Sequence, residues 1–390
     1  MKEKLFDNIN KQNKKLIEIS DYIFDNPELS FKEEKASKVL EDYLEDKGFK
    51  VEKGIGSLDT AFRAIYENGC DGPNIGLLCE YDALPFGHGC GHHMQGPAIL
   101  GAAVAIKELY NEKPFKLTVY GTPAEEGGGG KIIMLNEGYI KEIDVALMMH
   151  GGPSTQVDVK SLASDSIRVT FHGKSSHAAL KPEQGRSAFD ALLLTFQAVE
   201  FLREHVIEDT RMHYTVLNAG GPANVVPETA VGSFSLRSYN SKYLESVLER
   251  FKKIVQGAAL MTETTYDIDL EKRLDSKIPS YKLNDIIMGN ANLINAPSIK
   301  PAREKTGSTD FGNVTYLLPG SCIRIAFVDE NTSSHSQEFL NDGKTERGHQ
   351  AVINASKILA ASVYDLINNP YLISEIKDEF KNTKSLMDIN

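Results

Sequence analysis

Residues 74–85, NIGLLCEYDALP, decide the fold. The apolar run Ile75–Cys79 is short, and it stops in the polar residues Glu80, Tyr81 and Asp82. It therefore reads as a buried strand that delivers carboxylates at its end. Downstream, GPAILGAAVAIKEL (96–109) has the pattern of a helix, KLTVYGTPAEE (116–126) of a strand, and VALMMHGG (145–152) of another strand. Such alternation implies a mainly parallel sheet with helices on both faces, and open sheets of this kind gather their ligands at the carboxyl ends of the strands.

Upstream, LFDNINKQNKKLIEISDYIFDNPELS (5–30) sets Leu5, Ile9, Leu16 and Ile19 at near-helical spacing and ends at Asn26-Pro27. KEEKASKVLEDYLEDKGFKVEKG (32–54) is a charged amphipathic helix stopped at Gly48, with a strand behind it. The character changes near Ser161. SLASDSIRVTFHGKSSHAA (161–179) alternates as a half-exposed strand does, and a helix pattern follows at 187–206. Strands at 211–221 and 228–240, a charged helix at 244–261 and a strand at 264–274 complete the block. The order β-α-β-β-α-β is that of a ferredoxin-like unit. The alternating character of the first part resumes after Pro279 and ends in the amphipathic helix GHQAVINASKILAASVYDLI (348–367). The reading is an α/β protein: a discontinuous domain of residues 1–162 and 279–390, with an α+β domain of residues 163–278 inserted.

A chain of 390 residues is long enough for two cores. Its net charge of -11 speaks against a nucleic-acid partner, which needs a basic field. No apolar stretch reaches the length of a membrane span. The first twenty residues lack the apolar segment of a secretion signal, so the expected compartment is the cytoplasm. Four cysteines in such a length make no disulfide framework.

Three features at strand ends carry chemistry. After Glu80-Tyr81-Asp82 comes the loop GHGCGHH (87–93), whose cysteine and histidines are donors suited to zinc or a similar divalent ion. The bland alternative is a glycine-rich turn that happens to hold histidines. Glu125-Glu126 follow the strand 116–120; one can ligate a metal while the other serves as general base toward a metal-bound water. Two adjacent glutamates more often mark a solvated loop. His150 ends the strand 145–150, where a lone histidine is more often structural. Together the three supply the donors, the base and the open site that a metal hydrolase needs, with His335 in SSHSQEF a candidate for the remaining donor. A thiol-redox role for Cys90 requires a second cysteine two or three residues away, and there is none.

At these residues the chain resembles the aminoacylase/carboxypeptidase-G superfamily of metallopeptidases, in particular its amidohydrolase branch of hippurate, auxin-conjugate and p-aminobenzoyl-glutamate hydrolases. EYDALP, GHGCGHH, GTPAEEGGGG, HGG, GKSSHAA, GGPANVVPE, FSLRS, TGSTDFGNV and SSHSQEF occur in the family's order. The resemblance implies a two-metal catalytic domain, holding zinc or manganese, and a lid domain that also forms a homodimer. It implies Cys90, His92, Glu126, His150 and His335 as metal ligands, Glu125 as general base, and Asp82 as the carboxylate that orients a ligand. His177 resembles the lid histidine that reaches the oxyanion, and Asn224 and Arg237 the lid residues that hold the substrate. Asn224 as a turn residue before Pro227, and Arg237 as a strand-surface charge, are the plainer alternatives. The loop with Ser308 and Thr309 matches one lining the substrate pocket. The expected activity is hydrolysis of amide bonds in small N-acyl or N-aroyl amino acids; the alternatives are a dipeptidase and a non-catalytic binding relative. Two departures stand out. His93 replaces the branch's usual Asp or Asn, and Glu80 stands where more distant relatives carry a ligand histidine.

Overall fold

Twelve strands form two separate sheets in the computed structural model, which describes residues 1–389. The strands are β1 (Lys50–Lys53), β2 (Phe62–Asn68), β3 (Asn74–Cys79), β4 (Phe115–Gly121), β5 (Val145–Gly152), β6 (Gln156–Ser161), β7 (Ala163–His172), β8 (Arg211–Asn218), β9 (Thr229–Ser238), β10 (Thr265–Leu274), β11 (Arg303–Thr306) and β12 (Gly320–Ala326). The chain divides into two compact units. One is Met1–Lys160 with Ile278–Lys384; the other is Ser161–Lys277 with residues 385–389.

The first unit holds the eight-stranded sheet, in the order β1-β2-β4-β3-β5-β12-β6-β11. Its centre is parallel: β3 pairs with β4 and β5, and β5 with β12. Every residue of β3 is buried, as expected for a strand covered on both faces. On one face lie the helices Lys2–Asp25, Gln95–Leu109 and Glu346–Asn368, which pack on one another through Leu16, Ile19, Ala102, Ile106, Ala355 and Leu359. On the other, Gly130–Asn136 and Phe311–Leu317 cover Leu78, Tyr120 and Met148 with Met134, Leu135, Phe311 and Val314. The reading from sequence passed over β2 and β6, which are both antiparallel additions to the parallel centre. FRAIYEN and QVDVKS mix charged and apolar residues, and what recruits them is a neighbouring strand rather than a pattern of their own.

The second unit is the antiparallel sheet β10-β7-β9-β8 with two helices, Ala188–Arg203 and Ser241–Thr262. Along β9 buried and half-buried residues alternate without a break, so Ala230, Phe234 and Leu236 face a core shared with Ile167, Val169, Phe171 and Phe251. Ser187 and Asn240 cap the helices, accepting from the backbone N–H of Asp190 and Tyr243 at 3.1 and 3.0 Å. The order is the expected β-α-β-β-α-β.

Candidate metal centre

The sheet order puts the reversal of direction at β3: the connection to β4 runs to one side and the next, to β5, returns to the other. Side chains at the carboxyl ends of β3, β4 and β5 therefore converge on the crevice that such a switch point leaves open.

Glu80, Tyr81 and Asp82 leave β3 in sequence, and alternation sends the tyrosine away from the two carboxylates. Tyr81 is fully buried, stacks on Phe62 and donates its hydroxyl to the Thr60 carbonyl at 2.5 Å, which anchors the turn. Asp82 Oδ2 accepts from the Ser30 hydroxyl and from the backbone N–H of Glu126, both at 3.0 Å. Its Oδ1 lies 3.1 Å from His92 Nδ1, which also faces the Asp82 carbonyl at 3.1 Å. Both neighbours of Nδ1 are acceptors, so Nδ1 carries a proton whether or not the ring is charged, and Nε2 is the nitrogen turned to the site. Burial alone would raise Asp82, but the hydrogen bond and charge of His92 and the other two donors hold it down at about 2.

Gly91 lets Cys90 and His92 reach the same place. Its φ of +81° is left-handed, and a Cβ there would meet Met94 Cε at 3.1 Å and Phe339 Cε1 at 3.2 Å. Donor atoms of Cys90, His92 and Glu126 all lie within 4.8 Å of one another. His335, far along the chain, joins this group through its own backbone: its N–H donates to the Gly89 carbonyl at 3.0 Å, and its Nε2 lies 3.0 Å from Glu126 Oε1. His335 takes a φ of +64°, and Ala124, just ahead of Glu125, one of +60°. Left-handed backbone at non-glycine residues costs energy and persists where tertiary contacts impose it.

A second group shares His92 with the first: donor atoms of Glu80, His92 and His150 also lie within 4.8 Å of one another. His150 Nδ1 lies 2.7 Å from the Gly151 carbonyl and 3.2 Å from Arg324 Nη1; the shorter contact is to an acceptor, which sets the proton on Nδ1 and leaves the lone pair on Nε2. Burial, then the positive charges of Arg324 and His92, push His150 down to about 3 and keep its imidazole neutral. A third group unites Glu80, Glu125 and Asp310. Here Lys131, fully buried, donates to Glu80 Oε1 at 2.6 Å and to Asp310 Oδ1 at 2.7 Å. Burial, then the negative charges of Glu80 and Asp310, push Glu125 up to about 8.

These residues fit a pair of divalent cations. Ligand bonds of 2.0–2.3 Å keep any two donors of one ion within about 4.6 Å, close to the spacing of both histidine-containing groups. Thiolate, imidazole and carboxylate together suit zinc and its neighbours. The excess negative charge that lifts Glu125 is what bound cations offset.

Of the residues singled out from sequence, Cys90, His92, Glu126, His150 and His335 converge here, with Glu125 beside them and Asp82 behind His92. The other two histidines of the loop do not. His88 Nε2 lies 3.1 Å from the Ile23 carbonyl and His93 Nε2 2.9 Å from that of Gly343, and both rings pack against Phe24. Three histidines around a cysteine look like ligands in the sequence; only one of them is turned to the donor group. Ser308 Oγ is buried with no hydrogen-bond partner among the described residues, while Thr309 Oγ1 accepts from the Phe311 N–H at 3.2 Å. In the second unit His177 is exposed and bridges Val225 through its backbone, and the Ala178 N–H donates to the Asn224 carbonyl at 2.9 Å. Arg237 is half-buried on β9, its Nε 3.2 Å from Ser235 Oγ. Lys131 and Gln95 went unnoticed in the sequence. The only signal for Lys131 is a lone cation in the apolar run GKIIML.

The family model of the peptidase dimerisation domain matches residues 162–262. The chain is 30% identical to one of the subunits of the p-aminobenzoyl-glutamate hydrolase of Escherichia coli (strain K12), over 96% of this chain and 93% of that one. It is 29% identical to the Xaa-Arg dipeptidase of Mus musculus, over 98% and 92%. Among solved structures, a putative aminohydrolase from methicillin-resistant Staphylococcus aureus superposes with a TM-score of 0.80 at 19% identity, covering 94% of this chain and all of that one. A dinuclear metal-binding peptidase of the M20 family from Bacillus subtilis does so with a TM-score of 0.71 at 19% identity, covering 92% and 99%. With relatives this similar along nearly their whole length, the chain belongs to the amidohydrolase branch of the M20 (aminoacylase/carboxypeptidase-G) metallopeptidases and is a hydrolase of amide bonds.

Proposed function

We propose that this enzyme binds two divalent ions, zinc or manganese, through Cys90, His92, Glu126, His150 and His335, and that Glu125 is its general base. One observation carries the reading: Glu125 adjoins Glu126, a member of one histidine-containing donor group, and lies with Glu80, a member of the other, yet itself belongs to neither. When bound, the ions polarise the scissile carbonyl and acidify the attacking water. Glu125 takes a proton from that water as its oxygen bonds to the carbonyl carbon, and returns it to the amine nitrogen as the C–N bond breaks. Asp82 keeps the His92 proton on Nδ1, so the ring presents its lone pair to the site. The orphan hydroxyl of Ser308 supports a contact with a polar group of the substrate, with Thr309 beside it.

By resemblance, residues 163–278 act as lid and homodimerisation domain, with residues 1–162 and 279–390 forming the catalytic domain. His177 then donates to the oxyanion, and Asn224 and Arg237 hold the substrate's carbonyl and carboxylate. The name of the matching domain model supports dimerisation. Substrates are small N-aroyl or N-acyl amino acids, a reading supported by the aminobenzoyl-glutamate hydrolase; the dipeptidase favours dipeptides as the second reading. Among the described residues no helix is long and apolar enough to cross a membrane. The proposed setting is the cytoplasm.

The test is Glu125→Ala. It is expected to retain both ions by elemental analysis and to lose turnover by several orders of magnitude on p-aminobenzoyl-glutamate or Xaa-Arg dipeptides, whichever the wild type cleaves. Near-normal turnover removes Glu125 from the role of base.

A further inference from the structure

We propose that Glu80 is a further protein donor to the ion held by His92 and His150, with Gln95 and Lys131 as the residues that position its carboxylate. The inference rests on the two-metal reading above. With its proton on the Asp82 side, His92 turns Nε2 to the site, and the atom facing Nε2 is Glu80 Oε2, at 3.2 Å. Once a cation takes the lone pair of Nε2, no proton remains there for Glu80 to accept. The carboxylate then faces the cation itself. A separation of 3.2 Å is also what two donors on one ion show, about 3–3.6 Å for bonds of 2.0–2.2 Å.

The carboxylate is built into place. Gln95 Nε2 donates to Glu80 Oε2 at 2.8 Å while Gln95 Oε1 accepts from the Glu80 N–H at 3.0 Å, a reciprocal clamp. Lys131 holds the other oxygen, Oε1, at 2.6 Å. Glu80 is only 2% exposed, so its negative charge is set in the interior at the cost of desolvation. Each oxygen has one lone pair engaged by these contacts, which leaves Oε2 a second one toward His92.

Charge and coordination favour the same assignment. Without Glu80, the pair His92 and His150 brings no anion of its own to its ion. With it, the set becomes two histidines and a carboxylate, a combination that catalytic zinc uses while keeping a position open for water. Lys131 has a definite part in this. It limits Glu80 to one available oxygen and keeps Asp310, its other partner at 2.7 Å, from competing for the cation.

The experiment removes bound metal from the full chain with a chelator and titrates Co²⁺ back, following ion stoichiometry, affinity and visible absorption. Wild type is expected to bind two ions. Glu80→Gln is expected to keep one ion with unchanged affinity and an intact thiolate-to-cobalt charge-transfer band from Cys90. Its second ion is expected to bind at least a hundred-fold more weakly, with altered d–d bands. Glu80→Asp, which keeps the charge but withdraws the oxygen, should weaken the same ion at least ten-fold, and it carries the test if the glutamine variant does not fold. Two ions bound within three-fold of wild-type affinity and with unchanged d–d bands, in either folded variant, overturn the proposal. Wild type binding fewer than two ions overturns instead the reading on which it rests.

Discussion

Replacing Lys131 by methionine removes the one ammonium that bridges Glu80 and Asp310 and leaves the rest of the side chain nearly unchanged in volume. Lys131 and Asp310 are fully buried and Glu80 is 2% exposed, so water does not reach the carboxylates left behind. Loss of one partner from a buried ion pair costs about 3–5 kcal/mol, because the remaining charge stays desolvated and uncompensated. For a unit of this size that lowers Tm by about 5–9 °C. The assay is thermal and urea unfolding of wild type and variant at pH 7 with a chelator present, so that bound ions do not mask the charge. The pH dependence gives a second check. In the wild type burial would raise Glu80, but Lys131 and then the histidines overcome it and hold the group down at about 2. That depressed pKa contributes stability in full above the unfolded value near 4.5 and loses it as pH falls toward 2. In the variant the same carboxylates favour their protonated form in the folded state, so acidification relieves the cost. The gap between the two proteins should therefore narrow from pH 7 to pH 5. A difference below about 1 kcal/mol at pH 7, or one that widens on acidification, refutes the reasoning.

Two further outcomes follow from the ligand loop. Gly91→Ala places a Cβ at a φ of +81° and against Met94 and Phe339, so it should cost at least about 1–2 kcal/mol in unfolding experiments and weaken ion binding by turning Cys90 and His92 apart; unchanged stability and ion affinity would contradict this. His93 is pushed by burial down to about 4 despite its bond to the Gly343 carbonyl, so the folded protein binds fewer protons there than the unfolded chain, whose value is near 6.5. Its contribution is full above pH 6.5 and disappears as pH falls toward 4, by up to about 3 kcal/mol. His93→Asn should flatten the stability–pH curve over that range, and a curve of unchanged slope would exclude His93 as its source.

The alternation of strands and helices, the inserted block and most of the donors were legible because each rests on neighbours in the chain. Cys90 and His92 are two residues apart, Glu125 and Glu126 adjacent, and His150 closes the apolar run of its own strand. A strand end needs only its own residues to declare what it presents. The loop 87–93 shows where such reading overreaches: spacing offers three histidines, and packing against Phe24 takes two of them out of the site.

The sequence by itself determined the two kinds of unit, the strands that end in carboxylate or histidine, and the chemistry those ends offer, since side-chain periodicity and donor type are properties of short segments. Only the tertiary structure decided which ends meet. The order β4-β3-β5 brings Lys131 onto Glu80, 51 residues away, and onto Asp310, 179 residues away, and a backbone bond to Gly89 draws in His335. Charges that far apart in the chain carry no local mark of one another; the burial that makes their pairing strong exists only once the sheet has closed around them.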